Sequence, residues 1–462
     1  MIKLTTHEER FAIIEAENKE LREMVAIQIK IIAELKAEVA RLRTPKNSGN
    51  SSLPPSSDFS PPKRNQSLRE KSDKKSGGQL GHKGYTIPIV ENPDEIIPYH
   101  PCCCEICNKD LSDVLSVLIE KRQLVDIPPV KPVVTEYQVY GRKCSCGHLT
   151  KSSFPDHVKA PVQYGASVET TVAYMHSRQY MPSKRMVEYF ENIMGLHLSE
   201  GSIYNFIKRF KEKALPFYEE IKERVLQATC LGSDETSCKV NGKKHWFWAW
   251  QNELLTLIVH SENRGCRTID YNFPRGLPNA ILVSDRLAAQ LQTTAKNHQI
   301  CTVHIQRELE FFRQLYECRW AIDFRKLLKD ANKLKKDMTP SQYFLPNERR
   351  NELETKLKQL LCQQLPAQNQ KALTLQKQLN KIPEYILCFL HHADVPSHNN
   401  GSEKAIRNVK VKQKVSGQFK TDAGANAFAI IRSIIDTAIK SGKDVYKELF
   451  TIAINKHMVN SS

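Results

Sequence analysis

Between residues 226 and 304, apolar runs recur with short polar or helical stretches between them. The runs are QATCLGSDETSCKV, HWFWAWQ, LLTLIVH, AILVSD and QICTVH. Each is rich in the β-branched, aromatic or small residues that suit a pleated, half-buried surface. Trp246, Trp248 and Trp250 alternate with Phe247 and Ala249, the pattern of a strand buried on one face or both. Helical stretches over 264–271 and 286–297 separate the third run from the fourth and the fourth from the fifth. The predicted order is three strands, helix, strand, helix, strand. It implies an antiparallel meander continued by parallel crossovers.

Other periods govern the rest of the chain. Over residues 11–42 a heptad places Asn18, Val25, Ile32 and Val39 at a, and Ile14, Leu21, Gln28, Leu35 and Leu42 at d. Branched a positions with Leu at d favour a parallel two-stranded coiled coil, and a single Asn at a sets its register. An amphipathic helix packing on its own chain would show the same period. Residues 165–212 read as helical, and SKRMVEYFENIMGLHLSEGSIYNFIKRF has the cadence of a helix-turn-helix. Met186, Val187 and Phe190 share a face, Gly195 marks the turn, Ser199 caps the second helix, and Ile203 and Phe206 pack it. Ser202, Tyr204, Asn205 and Lys208 are left free to meet DNA, although any two packed helices can imitate this pattern. Residues 305–395 are charged and helical, and further helices follow residue 397.

Composition narrows the partner. The chain has 68 Lys and Arg against 51 Asp and Glu, a formal charge of +17 over 462 residues. Such an excess favours a polyanion. The Ser, Pro and Asn-rich stretch after Thr44 cannot bury enough surface to fold, and residues 63–83 carry seven basic residues against two acidic ones. With no apolar leader and no membrane-length apolar run, a cytoplasmic protein is expected, and the basic excess suits association with the nucleoid. Of the 13 cysteines, six lie between Cys102 and Cys146. Cys104 and Cys107, with Cys144 and Cys146, form two close thiol pairs suited to one tetrahedral zinc ion. His148 can replace one of them, and Cys102 and Cys103 leave the ligand set open.

Three acids carry the candidate chemistry. Asp234 lies in the first strand among small residues, Asp285 ends the fourth, and Glu403 opens a helix in SHNNGSEKAIRNVK that Asn399 or Asn400 can cap. Singly, each has an ordinary explanation as a turn residue, a cap or one half of a surface ion pair with Arg407. Together they meet the demand of two-metal phosphodiester chemistry, in which a few carboxylates from different elements hold two Mg2+ or Mn2+ ions. The strand order is that of a ribonuclease-H-like sheet. The expected fold class is therefore multidomain α+β, with a ribonuclease-H-like catalytic core of mixed sheet and helices and a helical insertion. Coiled-coil, zinc-binding and helical DNA-binding modules precede that core.

GSDET, VSDR, CTVH and HNNGSEKAIR, followed by FKTDAGANAFAIIRSIIDTA, resemble the insertion-sequence-66 family of bacterial DDE transposases. NSGNSSLPPSSD, GGQLGHKG and the paired cysteines resemble that family's linker and zinc-finger segments. The resemblance implies Asp234, Asp285 and Glu403 as the metal-binding triad, with cleavage at transposon ends followed by strand transfer. Cys301 and His304 are similar to a C-x2-H element found after the second acid in such families, and they read equally well as buried packing residues. His398, Asn399, Asn400 and Arg407 are expected to orient the scissile phosphate. Lys404, Lys410, Lys412, Lys414 and Lys420 extend a basic run beside them. Expected partners are terminal inverted repeats, target DNA, a second copy of the chain and small accessory proteins of the same element, with no membrane. A catalytically silent, zinc-containing DNA-binding regulator is the alternative. The expected division is 8–43 coiled coil, 44–86 basic linker, 87–155 zinc-binding, 160–222 helix-turn-helix-like and 226–304 first part of the core. The remainder divides into 305–395 insertion, 396–424 last core helix and 425–462 C-terminal helices.

Overall fold

The computed structural model of the chain describes residues 7–43, 46–47, 50–51, 81, 84 and 87–454. Most of the basic linker expected over 44–86 lies outside the described residues. The first element, α1 (His7–Arg43), is one continuous helix. Its heptad residues Ile14, Leu21, Val25, Ile32, Leu35 and Val39 are all exposed on the single chain. A small antiparallel hairpin, β1 (Gly141–Lys143) and β2 (Leu149–Lys151), follows in the cysteine-rich segment.

Three helices come next: α2 (Ala166–Ser177), α3 (Ser183–Asn192) and α4 (Glu200–Leu226). Gly195, at φ +64°, turns the chain between α3 and α4, a left-handed conformation that costs glycine least. The Ser199 hydroxyl caps α4 by accepting from the Ser202 amide at 3.0 Å, satisfying one of the helix's orphan donors. Ile203, Phe206, Phe210, Ala214, Tyr218, Ile221 and Val225 recur at helical spacing and are buried along its length. That stripe joins one hydrophobic core with Met186 and Phe190 of α3 and Trp248, Trp250 and Leu257 of the sheet. The α2–α4 helices therefore share the core of the sheet instead of packing only on one another.

The sheet contains β3 (Cys230–Val240), β4 (Lys243–Gln251), β5 (Thr256–Ser261), β6 (Leu277–Ser284) and β7 (Ala295–Ile300). Their spatial order is β5-β4-β3-β6-β7. The first three strands pair antiparallel, and β3–β6 and β6–β7 pair parallel, the meander with parallel crossovers predicted from the pattern. Helix α5 (Cys266–Asn272) makes the first crossover, and the second contains only the single turn α6 (Ala288–Leu291), shorter than expected. The stacked Trp248 and Trp250 rings, 5.7 Å apart, lie on the face covered by α4.

The excursion from the sheet is built of α7 (Thr302–Tyr316), α8 (Arg319–Asp337), α9 (Glu348–Cys362) and α10 (Gln370–Leu379). Its core includes Trp320, Phe324 and Leu357 and is continuous with Ile281, Val283 and Ile300 of the sheet. The chain returns as α11 (Asn400–Ser416) and closes with α12 (Asp422–Lys440) and α13 (Val445–Ile454). Helix α12 covers the free edge of β5: the Ser433 and Thr437 hydroxyls accept from the Ile258 and Thr256 amides at 2.8 and 3.1 Å. Edge-strand donors that would otherwise be open to another chain are satisfied internally. Among the described residues, no helix is long and apolar enough to cross a membrane.

Arg432 of α12 is fully buried. It pairs with Asp436 and donates to the Ser177 carbonyl at 3.0 Å, tying α12 to α2. Removing one partner of such a pair leaves a desolvated charge. Asp436→Ala is therefore expected to destabilise the fold by about 3–5 kcal/mol in denaturant titrations. The apolar double replacement Arg432→Met/Asp436→Leu should recover most of that loss, and a double variant as unstable as the single one would contradict this account.

Candidate active site

The site forms where β3, the end of β6 and the start of α11 meet. Asp234 of β3 lies directly opposite Ala249 of β4 in the antiparallel register. Ala249 packs on Ala405 and Ile406, so its small side chain lets α11 lie close above the sheet. Two glycines complete that approach. A Cβ on Gly232 would fall 2.5 Å from Ser402 Oγ and 2.8 Å from Asn399 Oδ1, and one on Gly401 would fall 2.4 Å from Gln251 Nε2. The small residues around Asp234 thus make room for the helix that carries Glu403.

The return of the chain is fixed by hydrogen bonds. The Thr302 amide donates to the Ser397 carbonyl at 2.9 Å, and the Asn399 amide donates to Cys301 Sγ at 3.3 Å. Asn399 occupies the N-cap position of α11 but its side chain does not cap the helix. Its amide Nδ2 donates instead to the Ser233 carbonyl at 2.7 Å, with the residue buried against β3. Lys440 donates to Gln251 Oε1 at 2.7 Å and to the Asn252 and Leu255 carbonyls. It thereby orients Gln251 under Gly401.

His304, in the first turn of α7, stands between two of the acids. Its Nδ1 is 3.2 Å from Asp285 Oδ1 and its Nε2 is 3.9 Å from Glu403 Oε1. Neither Nδ1 nor Asp285 Oδ1 has an aligned hydrogen-bond partner, so the contact is ionic. Asp285, Cys301 and His304 bring their ligand atoms within 4.8 Å of one another. Burial alone would lower the His304 pKa, but Asp285 and Cys301 outweigh it and raise the value to about 10. The imidazole is therefore a cation near neutral pH. Asp234 is shifted well up, first by burial and then by the charges of Asp285, Glu235 and Glu403. That response places the three acids in one electrostatic neighbourhood.

The connection after β6 is strained. Arg286 sits at φ +67° directly after Asp285 and pairs with Glu308 of α7. A non-glycine residue in that region usually needs support from its surroundings. Behind the sheet, Glu235 accepts from Arg264 at 2.8 and 3.0 Å and from Gln290 at 3.2 Å. Arg264 also lies 4.9 Å from the Trp246 ring. Sequence reasoning passed over Glu235, Arg264, Gln290 and Gln251, because each depends on partners distant in the chain.

The basic residues divide into two sets. Lys404, Arg407, Lys414 and Lys420 are exposed, as are His398 and Asn400. Lys412 is buried with its Nζ 3.4 Å from the Met181 carbonyl, and Lys410 donates to the Ser237 carbonyl at 2.8 Å. These two differ from the expected open basic face, because their helical phase turns them toward the protein. On α4, Tyr204, Asn205 and Lys208 are exposed and Ser202 is half-buried. Lys420 lies 5.9 Å from the Tyr204 ring, so the two surfaces meet.

In the cysteine-rich segment each pair is gathered locally. Cys104 is held down in pKa by the Cys107 and Ile106 amides and the Cys107 side chain, and Cys144 by the Cys146 amide, its thiol and Ser145. Asn108 (φ +54°) and Gly147 (φ +88°) turn the chain just after each pair. Among the described residues, the sets of three or more ligand atoms within 4.8 Å do not include these cysteines.

A family model described as the transposase IS66 family matches residues 161–427, a span that holds all three acids. A family of unknown function matches residues 5–87. No curated relative matches the chain.

An acid whose folded-state pKa is raised keeps a proton that the unfolded chain releases, so stability falls as pH rises above the unfolded value of about 3.9. In the cation-free protein at neutral pH, Asp234 is therefore a destabilising residue. Asp234→Asn is expected to raise the unfolding temperature by a few degrees, on the order of 1–2 kcal/mol of relieved strain. Added Mg2+ or Mn2+ should raise the midpoint of the native chain and much less that of the variant. An unchanged or lower midpoint for the variant without cation would contradict this reading.

Proposed function

The chain belongs to the transposase IS66 family, and from that premise we propose that it is a DDE transposase with Asp234, Asp285 and Glu403 as its acidic triad. The observation that carries this reading is the convergence of the elements that bear the acids: His304 lies 3.2 Å from Asp285 and 3.9 Å from Glu403, and Asp234 lies opposite Ala249, on which Ala405 and Ile406 of the Glu403 helix pack. Carboxylates that repel one another in a shared, partly buried site need positive charge to ionise together. The donor set suits hard divalent cations, and Asp285 Oδ1 is left without an aligned partner. A sheet ordered β5-β4-β3-β6-β7, with acids on its central strand, at the end of the next and on a later helix, supports a ribonuclease-H-like core.

Two Mg2+ or Mn2+ ions bound by these acids would supply activation of the attacking oxygen and stabilisation of the leaving one. The chain's own residues position the reaction. Asn399, Gly232 and Gly401 hold Glu403 over Asp234, while Arg286 and Glu308 fix the turn that presents Asp285. The exposed Lys404, next to Glu403, and Arg407, one helical turn beyond it, provide charge for the phosphates of the DNA. Lys420, Tyr204, Asn205 and Lys208 extend that surface onto α4. Water is the nucleophile for the nick at the transposon end, and the freed 3′ hydroxyl is the nucleophile for joining to target DNA.

The exposed apolar seam of α1 supports self-association through a coiled coil, which would bring two transposon ends together. The two turned cysteine pairs support a structural zinc site that the chain closes around the ion.

Strand transfer of a labelled terminal-repeat duplex tests the catalytic reading. Native protein with Mg2+ or Mn2+ should give joined products. Asp234→Asn and Glu403→Gln should each lower the rate by about 10³-fold or more, the loss of several kcal/mol of charge stabilisation. Metal-independent joining, or full activity in either variant, rejects the triad; cleavage without joining points to a nuclease, and DNA binding without cleavage to a regulator. A second measurement addresses assembly. Ile32→Asp/Leu35→Asp should convert a dimer to a monomer in light scattering and weaken paired-end cleavage, while an unchanged mass rejects the coiled coil.

A further inference from the structure

A second set of ligand atoms converges on the α11-facing side of the sheet, four residues along β4 from the partner of Asp234, or about 14 Å. Phe247 of β4 pairs with His260 of β5, and His245, two residues before Phe247, points to the same face. The two imidazoles lie with planes 4° apart, and His245 Nδ1 is 3.1 Å from His260 Nε2. Asp422, the first residue of α12, brings Oδ1 to 3.3 Å from the first nitrogen and 3.8 Å from the second. From these contacts we propose that His245, His260 and Asp422 bind a divalent ion of the zinc class that fastens the start of α12 to β4 and β5.

The three ligand atoms form a triangle within 4.8 Å of one another, with the two imidazole nitrogens at hydrogen-bond distance. One proton can bridge only one edge of that triangle, which leaves the third atom opposed to another lone pair. A cation at the centre satisfies all three. Zinc ligands at about 2.0–2.1 Å in a tetrahedron are separated by about 3.3 Å, close to the separations seen here. Two imidazoles and one carboxylate suit a borderline ion better than Mg2+, which prefers oxygen. The imidazoles are buried, with side chains 6% and 4% exposed, while the Asp422 side chain is 57% exposed. Buried ring ligands beside an open carboxylate give the ion an entry path and leave a fourth position for water.

The position also has a mechanical consequence. Just before α12, the Phe419 amide donates to the Lys239 carbonyl at 3.0 Å and the Asn241 amide to the Phe419 carbonyl at 2.9 Å. Phe419 packs with Phe247 and Phe428 beside the imidazoles. An ion at Asp422 would lock the turn that follows α11, the helix whose opposite end carries Glu403.

Metal analysis of the full-length chain purified without chelator tests the site. His260→Gln should contain one zinc fewer per chain than the native protein, whatever the cysteine segment binds. Asp422→Asn should bind that zinc at least about tenfold more weakly and show a smaller zinc-dependent rise in unfolding temperature. Because Asp422 is largely exposed, that variant decides the matter if His260→Gln does not fold. Equal zinc content and equal stabilisation in the native chain and Asp422→Asn would overturn the site. Iron in place of zinc would overturn the assigned ion class.

Discussion

The buried Asn399 is the point on which the site depends. Its main chain is held by Cys301 and its side chain by the Ser233 carbonyl, so one residue clasps the end of β7 to the centre of β3. The clasp works only because Gly232 and Gly401 have no side chains to hold the helix off the sheet. An added methyl at such a contact forces backbone shifts, since interiors are close-packed and yield little. Ala249 continues the same condition one strand away. The distance between Asp234 and Glu403 is therefore set by the absence of carbon atoms as much as by any attraction.

Electrostatics oppose the arrangement that packing imposes. Burial and the charges of Asp285, Glu235 and Glu403 raise the cost of ionising Asp234, and His304 stands as a cation between Asp285 and Glu403. The surrounding structure supplies the remaining rigidity. Glu235, on the opposite side of β3 from Asp234, is paired with Arg264 and accepts from Gln290, which holds that face of the strand in place. The strained Arg286 and its partner Glu308 do the same for Asp285. Under the proposed function, divalent cations bound by these acids would relieve that repulsion.

The alternating aromatic pattern of β4 and the short apolar runs on either side of it made the sheet legible, because each strand's burial is written in consecutive residues. The positions of Asp234 and Asp285 are legible for the same reason: one lies within a strand and the other directly after one, and the pattern marks both strands. Asn399 was not, because its partners Ser233 and Cys301 are 166 and 98 residues away, and a cap is the ordinary use of Asn at that position. Lys410 and Lys412 were misplaced because a run of lysines carries no phase of its own. Only the packing of Ala405, Ile406 and Val409 decides which side of α11 faces inward. His304 is half legible: its spacing from Cys301 stands in the sequence, but its place between two acids depends on where α11 returns.

That return also accounts for how a long excursion fits within the site. The cost of closing a flexible loop grows only slowly with its length, and here the excursion folds on itself around Trp320, Phe324 and Leu357. Its core is continuous with Ile281, Val283 and Ile300 of β6 and β7, so its beginning and end are held on the same part of the sheet. Gln299 of β7 strengthens this junction, accepting from the Phe389 amide at 2.7 Å and donating to the Ile386 carbonyl at 3.1 Å. With both ends fastened there, the length between them contributes little to where Glu403 lies. The geometry of the acids then depends on the few residues from Ser397 to Ser402 more than on the outer helices of the excursion.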